Sequence, residues 1–226
     1  MIPFQNPSIE LFGLRVDEPI TWLTDMLVAG IGFMAFLKTA SKTNSHAIQL
    51  YRYFFLFTAI STFVAGFIGH AFAYRVGFEY RMIGWVFGVA SIAFAQFAAL
   101  YHTRTSVGEN FFVLLKIVNG IELAIIIIVL ALFRLFVIVE IQAAIGLVLV
   151  VTILEAIHYT KTRSRLSIQM VYGVGITVLA VIAHVGKLAI SSWFNHMDLG
   201  HVLMAASLFV MYKGLKAEQQ LNPVTT

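Results

Sequence analysis

Six titratable side chains lie near the ends of long apolar runs in this sequence. They are Glu18, Asp25, His70, His184, Asp198 and His201. An ionisable side chain inside a lipid bilayer costs about 3 kcal/mol or more, so such residues tend to persist only where they have a function. If the apolar runs cross a membrane in alternating directions, all six side chains converge at one end of the bundle.

Imidazoles and carboxylates together can perform metal-assisted hydrolysis. Three imidazoles around an open coordination position form a known catalytic zinc arrangement, and His70, His196 and His201 are the candidate ligands. Zinc lowers the pKa of its bound water to about 7 and so supplies hydroxide at neutral pH. A nearby carboxylate, Asp198 or Asp25, is then the candidate base, or it orients an imidazole. Zinc would prefer the imidazoles, whereas calcium would prefer the acids of the first helix.

Several of these candidates also have a structural interpretation. Glu18 could cap the first helix, and Asp198 could be the N-cap of the last one. His196 and His201 are five residues apart and diverge by about 140° on a helix. Both can therefore bind one metal ion only if His196 lies in the loop before the helix. His184 could support a carboxylate from behind rather than bind metal.

The composition predicts an integral membrane protein. The chain is 60% hydrophobic and 12% charged, whereas a soluble domain averages about 45–50% apolar and about 25% charged residues. A net charge of +4 then indicates basic cytoplasmic loops rather than nucleic-acid binding. The absence of Cys excludes disulfides and thiol catalysis. We expect the first apolar run to be an uncleaved anchor and the protein to lie in a bacterial cytoplasmic membrane.

Apolar runs of about 20 residues predict an all-α bundle of seven transmembrane helices. They cover residues 19–37, 50–74, 82–101, 111–132, 136–158, 167–190 and 199–215. An extended or interfacial lead-in over residues 1–18 precedes this seven-helix domain at 19–215, and a polar tail follows at 216–226. The only strong break between the fourth and fifth runs is Arg134. Basic residues concentrate after helices 1, 3, 5 and 7, Lys42 among them, so we predict the N-terminus outside and the C-terminus in the cytoplasm.

The layout resembles the CREST superfamily, the seven-helix membrane hydrolases that include alkaline ceramidases and progestin/adipoQ receptors. Those proteins carry acids early in helix 1, a His late in helix 2, an acid early in helix 3 and paired His early in helix 7. The matching positions here are Glu18, Asp25, His70, Glu79, His196 and His201. The resemblance implies a zinc-dependent hydrolase of lipid amides in which Glu79 is a further catalytic acid.

Three features differ from that family pattern. Gly66 stands where the family has a Ser, and Thr62, one turn deeper, is the nearest hydroxyl that could support the site. The paired His residues are five apart rather than four. Glu79 replaces an Asp.

Two functions fit these residues. The first is a metal-dependent membrane hydrolase that acts on a lipid amide or ester. The second is a non-enzymatic seven-helix sensor or transport protein that uses the same acids and imidazoles for protons or a ligand. A retinal protein would need a Lys in the middle of helix 7, and that helix has none before Lys213. Neither the lipid nor the oligomeric state follows from the sequence.

Overall fold

The computed structural model describes residues 7–39 and 45–221, and these residues form a short β-hairpin followed by seven helical rods. Strands β1 (Ser8–Leu11) and β2 (Leu14–Asp17) pair antiparallel. The first four rods are α1 (Pro19–Lys38), α2 (His46–Val64) with a π-helical extension (Ala65–Ala71), α3 (Arg81–Val107) and α4 (Glu109–Phe133). In the fifth, a π-helical segment (Ala144–Val151) joins α5 (Phe136–Ala143) to α6 (Thr152–Thr162). The last two are α7 (Arg165–Val185) and α8 (His196–Leu221).

Local residue chemistry explains where several helices begin and end. Pro19 starts α1, where its missing N–H is no loss. The side chains of Ser45 and Ser164 accept backbone N–H groups at the starts of α2 and α7. Arg134 and Arg163 end α4 and α6 in the left-handed conformation that commonly terminates a helix. The break predicted at Arg134 is therefore present.

Six of the rods are long and apolar enough to cross a membrane. They are Pro19–Lys38, His46–Ala71, Arg81–Val107, Glu109–Phe133, Phe136–Thr162 and Arg165–Val185. The predicted all-α architecture of long apolar helices is therefore confirmed, and these helices are compatible with an integral membrane protein. The seventh rod, α8, is not among these six, since His196, Asp198 and His201 in its first two turns lower its hydropathy.

Secondary structure continues into both predicted end segments. Residues 8–17 of the lead-in form the β-hairpin that precedes α1. The last helix continues to Leu221 and so includes the first part of the predicted polar tail. Residues 1–6 of the lead-in, the loop residue Lys42 and residues 222–226 of the tail lie outside the described residues.

The rods alternate in direction, and this brings three helix ends together. Helix α1 packs between α2 and α8, and α3 packs against α2, α4 and α6. The start of α1, the π-helical end of α2 and the start of α8 therefore share one end of the bundle, which we call the hairpin end. Helix α3 is central, with 56% of its most apolar window buried, whereas α4 is peripheral, with 11% buried.

Candidate functional site

Glu18 reaches the site from an unusual backbone position between the hairpin and α1. Its φ of 45° is left-handed, which is uncommon for a residue other than glycine. Its N–H donates to the carbonyl of Pro7 at 2.9 Å, and its carbonyl accepts the N–H of Trp22. The predicted side-chain cap is not formed. The carboxylate instead contacts Nδ1 of His70 across the helix interface.

His70 lies in the π-helical end of α2, where Oε2 of Glu18 and Oδ2 of Asp25 flank its ring. Single turns of π-helix occur frequently at functional sites. Nε2 of His70 is 3.7 Å from Oδ2 of Asp25, beyond hydrogen-bond distance. The ring is mostly buried, with a side-chain exposure of 20%. The Glu18 contact fixes the ring orientation and directs Nε2 towards Asp25.

His201 faces the other oxygen of the same carboxylate. Its Nε2 is 3.5 Å from Oδ1 of Asp25, and its Nδ1 is 3.1 Å from the hydroxyl of Thr24. That hydroxyl already donates its single proton to the carbonyl of Thr21 at 3.0 Å, so it can only accept from His201. Nδ1 of His201 is therefore the protonated nitrogen, and in the neutral ring Nε2 presents a lone pair to Asp25.

Asp25 is thus shared by two imidazoles, and its carboxylate is buried, with 2% side-chain exposure. Among the described residues its Oδ2 has no hydrogen-bond partner. The charges of His70, Asp198 and Glu18 act on it. A buried, ionised carboxylate oxygen without a donor is costly. A proton or a bound cation between Asp25 and the imidazoles would satisfy this oxygen.

Gly66 makes room for this carboxylate. A Cβ built on Gly66 would lie 2.9 Å from Cβ and 3.4 Å from Oδ2 of Asp25, and 2.7 Å from Cε of Met26. Helices α1 and α2 can approach this closely only because position 66 has no side chain. Asp25 occupies the space that the Ser of the family pattern would need.

Asp198 is not the N-cap of α8, because the helix begins at His196 and Asn195 is the capping residue. Oδ1 of Asn195 accepts the N–H of Met197 at 2.8 Å, and Oδ2 of Asp198 accepts the N–H of Asn195 at 2.6 Å. This reciprocal pair is a capping box. Asp198 is fully buried, and its Oδ1 has no partner within the part of the chain that the structure describes.

His196 is not in the loop before α8 but is the first residue of the helix. Its ring packs against His184, with the ring centroids 5.1 Å apart, and Nε2 of His184 is 3.8 Å from Oε1 of Glu140. His70 and His201 form a separate imidazole pair at the same end of the bundle, with centroids 6.2 Å apart. Across residues 7–39 and 45–221, no three His, Asp or Glu side chains are arranged to hold a metal ion directly.

Two further candidates lie outside the group formed by Glu18, Asp25, His70 and His201. Glu79 is exposed in the short 3₁₀ turn Phe78–Tyr80 before α3. Thr62 is buried, but its hydroxyl donates within its own helix to the carbonyls of Thr58 and Ala59. Neither residue has a contact with the two imidazoles among those described.

A cavity of about 720 Å³ opens beside Glu18 and His70 at the hairpin end. The hairpin contributes Ser8, Arg15 and Asp17 to its wall, and Arg81 at the start of α3 adds a charge that acts on His70. This cavity gives water and polar groups access to the otherwise buried side chains.

A second polar cluster lies at the opposite end of the bundle and was not predicted. Glu155 of α6 is fully buried, and it accepts hydrogen bonds from Tyr51 at 2.6 Å, Ser167 at 2.7 Å and Nδ1 of His102 at 3.0 Å. The ring of His158 lies 4.6 Å from that of His102. The signal in the sequence was the i, i+3 pair of Glu155 and His158, but its partners come from other helices.

Comparison with known proteins identifies the family of the chain but not its function. The model of DUF6962, a family of unknown function, matches residues 20–220. No curated protein and no solved structure matches the chain.

Proposed function

The chain belongs to DUF6962, and we propose that it is an integral membrane hydrolase that uses zinc to cleave a lipid amide or ester. Asp25, His70 and His201 would hold the ion. The single observation that carries the proposal is a pair of distances at Asp25. Its Oδ1 is 3.5 Å from Nε2 of His201, and its Oδ2 is 3.7 Å from Nε2 of His70.

The donor set is chemically suited to zinc. Two imidazole nitrogens and a carboxylate form a known catalytic zinc set with one position left open. Metal-binding imidazoles typically have their other nitrogen held by a carboxylate or another acceptor. Glu18 holds Nδ1 of His70 in this way, and Thr24 holds Nδ1 of His201.

The observed spacing is slightly wider than a closed zinc site. Bonds of about 2.0–2.1 Å in a tetrahedron give donor separations of about 3.3 Å and imidazole centroids about 5 Å apart. The observed N···O distances exceed this by a few tenths of an ångström, and the centroids by about 1 Å. The two distances are to different oxygens of Asp25, so one ion would be held either by both oxygens or after rotation of the carboxylate.

When bound, zinc would supply a hydroxide at neutral pH as the attacking group. The residues of the chain prepare this step. Glu18 and Thr24 orient the imidazoles, and the buried, unpartnered Oδ1 of Asp198 is the candidate proton acceptor nearby. Gly66 allows α1 to bring Asp25 between the imidazoles.

A lipid substrate suits the position of the site. The imidazoles lie near the hairpin end of the helices, where the amide or ester bonds of a lipid meet the headgroup region. The cavity at that end can receive a headgroup, and the acyl chains would enter sideways between helices. We further propose that α8 is a seventh span and that the hairpin end is non-cytoplasmic in a bacterial inner membrane, following the positive-inside rule.

Metal analysis of the purified protein tests the proposal. We expect close to one zinc per chain, and its loss in His70→Ala and His201→Ala. His184→Ala is the matched control, because His184 pairs with His196 and Glu140 instead. The zinc-loaded protein should hydrolyse a member of a panel of fluorescent lipid amides and esters, and the two metal-site variants should not.

The same geometry supports a second function, proton or ligand handling without hydrolysis. The order Glu18, His70, Asp25, His201 alternates acids and imidazoles from the cavity into the bundle, and a proton could be the cation beside Asp25. A protein that lacks zinc, does not bind added zinc and shows no His70-dependent hydrolysis would favour this function and reject the hydrolase.

A further inference from the structure

The turn of the β-hairpin has a backbone that does not suit its residues. Phe12 and Gly13 form a two-residue connection with φ values of 52° and 74°. A turn with both central residues at positive φ favours Asn-Gly or Asp-Gly, and for a bulky residue positive φ is a genuine outlier. Residues held in such conformations concentrate at functional positions. Phe12 therefore adopts this turn against its local backbone preference.

The same turn exposes its apolar side chains. Phe12 has a relative exposure of 103%, and the paired residues Leu11 and Leu14 have exposures of 40% and 41%. The hairpin tip, residues 11–14, is thus a continuous apolar segment. Water is an unfavourable environment for such a segment.

The base of the hairpin is fixed to the membrane domain. Only Glu18 separates β2 from α1, and its N–H donates to Pro7. The hydroxyl of Tyr74, which follows the end of α2, donates to the carbonyl of Arg15 at 2.8 Å. Arg15 also lies over the Tyr74 ring, 5.3 Å from its centroid. A four-residue strand spans only about 13 Å, so the tip stays close to the membrane surface.

We propose that the hairpin tip inserts into the lipid interface of the leaflet at the hairpin end. Leu23 and Leu27, exposed on the first half of α1, then face the same lipid, and β2 enters that helix after one residue. Phe and Leu are side chains that bury at the boundary between headgroups and acyl chains. The strands behind the tip line the cavity through Ser8, Arg15 and Asp17, so the hairpin forms a wall between the cavity and the lipid. This inference does not depend on hydrolase activity.

Site-directed spin labelling tests the insertion directly, because the chain has no Cys and each introduced thiol is unique. The full-length Phe12→Cys protein is labelled and reconstituted in vesicles of phosphatidylethanolamine and phosphatidylglycerol. Glu10→Cys, an exposed position on β1, is the matched control. We expect the ratio of oxygen to nickel-chelate accessibility to be several-fold higher at residue 12 than at residue 10.

Two outcomes would overturn the proposal. One is an accessibility ratio at residue 12 equal to that at residue 10, which would place the tip in water. The other is dipolar broadening between labels at residue 12 of two chains, which would identify a second copy as the partner. Leu14→Cys repeats the measurement on the other strand, and a high ratio there supports insertion even if Phe12→Cys disturbs the turn.

Discussion

Asp25 is the residue on which the candidate site depends. It lies about a turn and a half into α1, where a carboxylate needs partners, and it finds two imidazole nitrogens rather than donors at hydrogen-bond distance. The tautomer of His201 follows from the single proton of Thr24. Two groups with lone pairs therefore face each other, and this is the chemical basis for a bridging cation.

Replacement of Glu18 by Gln tests whether the His70 imidazole is held from behind. The Gln amide is similar in size to the Glu carboxylate, but it is a neutral acceptor and therefore binds the N–H of the His70 ring more weakly. We expect Glu18→Gln to weaken zinc affinity about 10–100-fold, as loss of such supporting carboxylates does. Competition with a chelating dye measures this.

Glu10→Gln, on the exposed part of β1, is the control for the charge change and should leave zinc affinity unaltered. An unaltered affinity in Glu18→Gln would show that the contact with His70 does not serve metal binding.

Gly66→Ala tests the close approach of α1 and α2. The added methyl would overlap with Asp25 and Met26, so we expect destabilisation of about 1–3 kcal/mol and weaker zinc binding. Gly30→Ala on α1 is the control, because no atom of the described residues lies within 4 Å of a Cβ built there. Thermal unfolding in detergent compares the two. Equal stability of both variants would contradict the proposed packing.

At the scale of elements, each end of the bundle is joined by polar side chains from several helices. At the hairpin end, α1, the π-helical end of α2 and α8 contribute the two imidazoles and Asp25. At the other end, Glu155 of α6 binds side chains from α2, α3 and α7. Within the described part of the chain, the hairpin end has carboxylate oxygens without a hydrogen-bond partner at Asp25 and Asp198, whereas the other end has three donors around Glu155. The first is suited to a ligand and the second to holding helices together.

Tyr51→Phe tests that structural role. The buried hydroxyl donates to Glu155 at 2.6 Å, and its removal takes one donor from a buried carboxylate. We expect a loss of stability of about 1.5–3 kcal/mol, with zinc content unaltered. Tyr53→Phe, two residues later and 43% exposed, should change stability by less than about 0.5 kcal/mol. A large loss of zinc in Tyr51→Phe would instead show that the two ends of the helix bundle are energetically coupled.

At the scale of the whole molecule, α8 determines the topology. Six rods meet the length and hydropathy of a span, and α8 packs between α7 and α1 over a comparable length. We expect it to be the seventh span, with its polar first turns shielded by α1 and α2. The two chain ends then lie on opposite sides of the membrane.

Cysteine labelling tests this topology in the Cys-free chain. Ser192 is exposed in the loop at the hairpin end, and Thr162 is exposed as the last residue of α6 at the opposite end. We expect an impermeant maleimide to label Ser192→Cys in intact cells and Thr162→Cys only after permeabilisation. A fluorescent protein fused after Thr226 should fold in the cytoplasm. The reverse labelling pattern would invert the orientation. A non-cytoplasmic C-terminus together with the expected labelling of the two cysteines would exclude α8 as a span.

The sequence by itself predicted that the helices of this protein lie in lipid, because the transfer free energy of long apolar runs with few charges favours a bilayer over water. It also determined that titratable residues of α1, α2 and α8 lie at one end, because helices that cross a membrane in turn must alternate in direction. Only the tertiary structure decided which of them meet.

His196 and His201 point about 140° apart around α8 because the helix already begins at His196. His196 therefore packs against His184, whereas His201 packs against His70. Asp25 reaches the imidazoles only because Gly66 lets two helices touch, and Glu155 gains its partners from three other helices. These are contacts between residues far apart in the chain, and neither spacing nor hydropathy along one segment contains them.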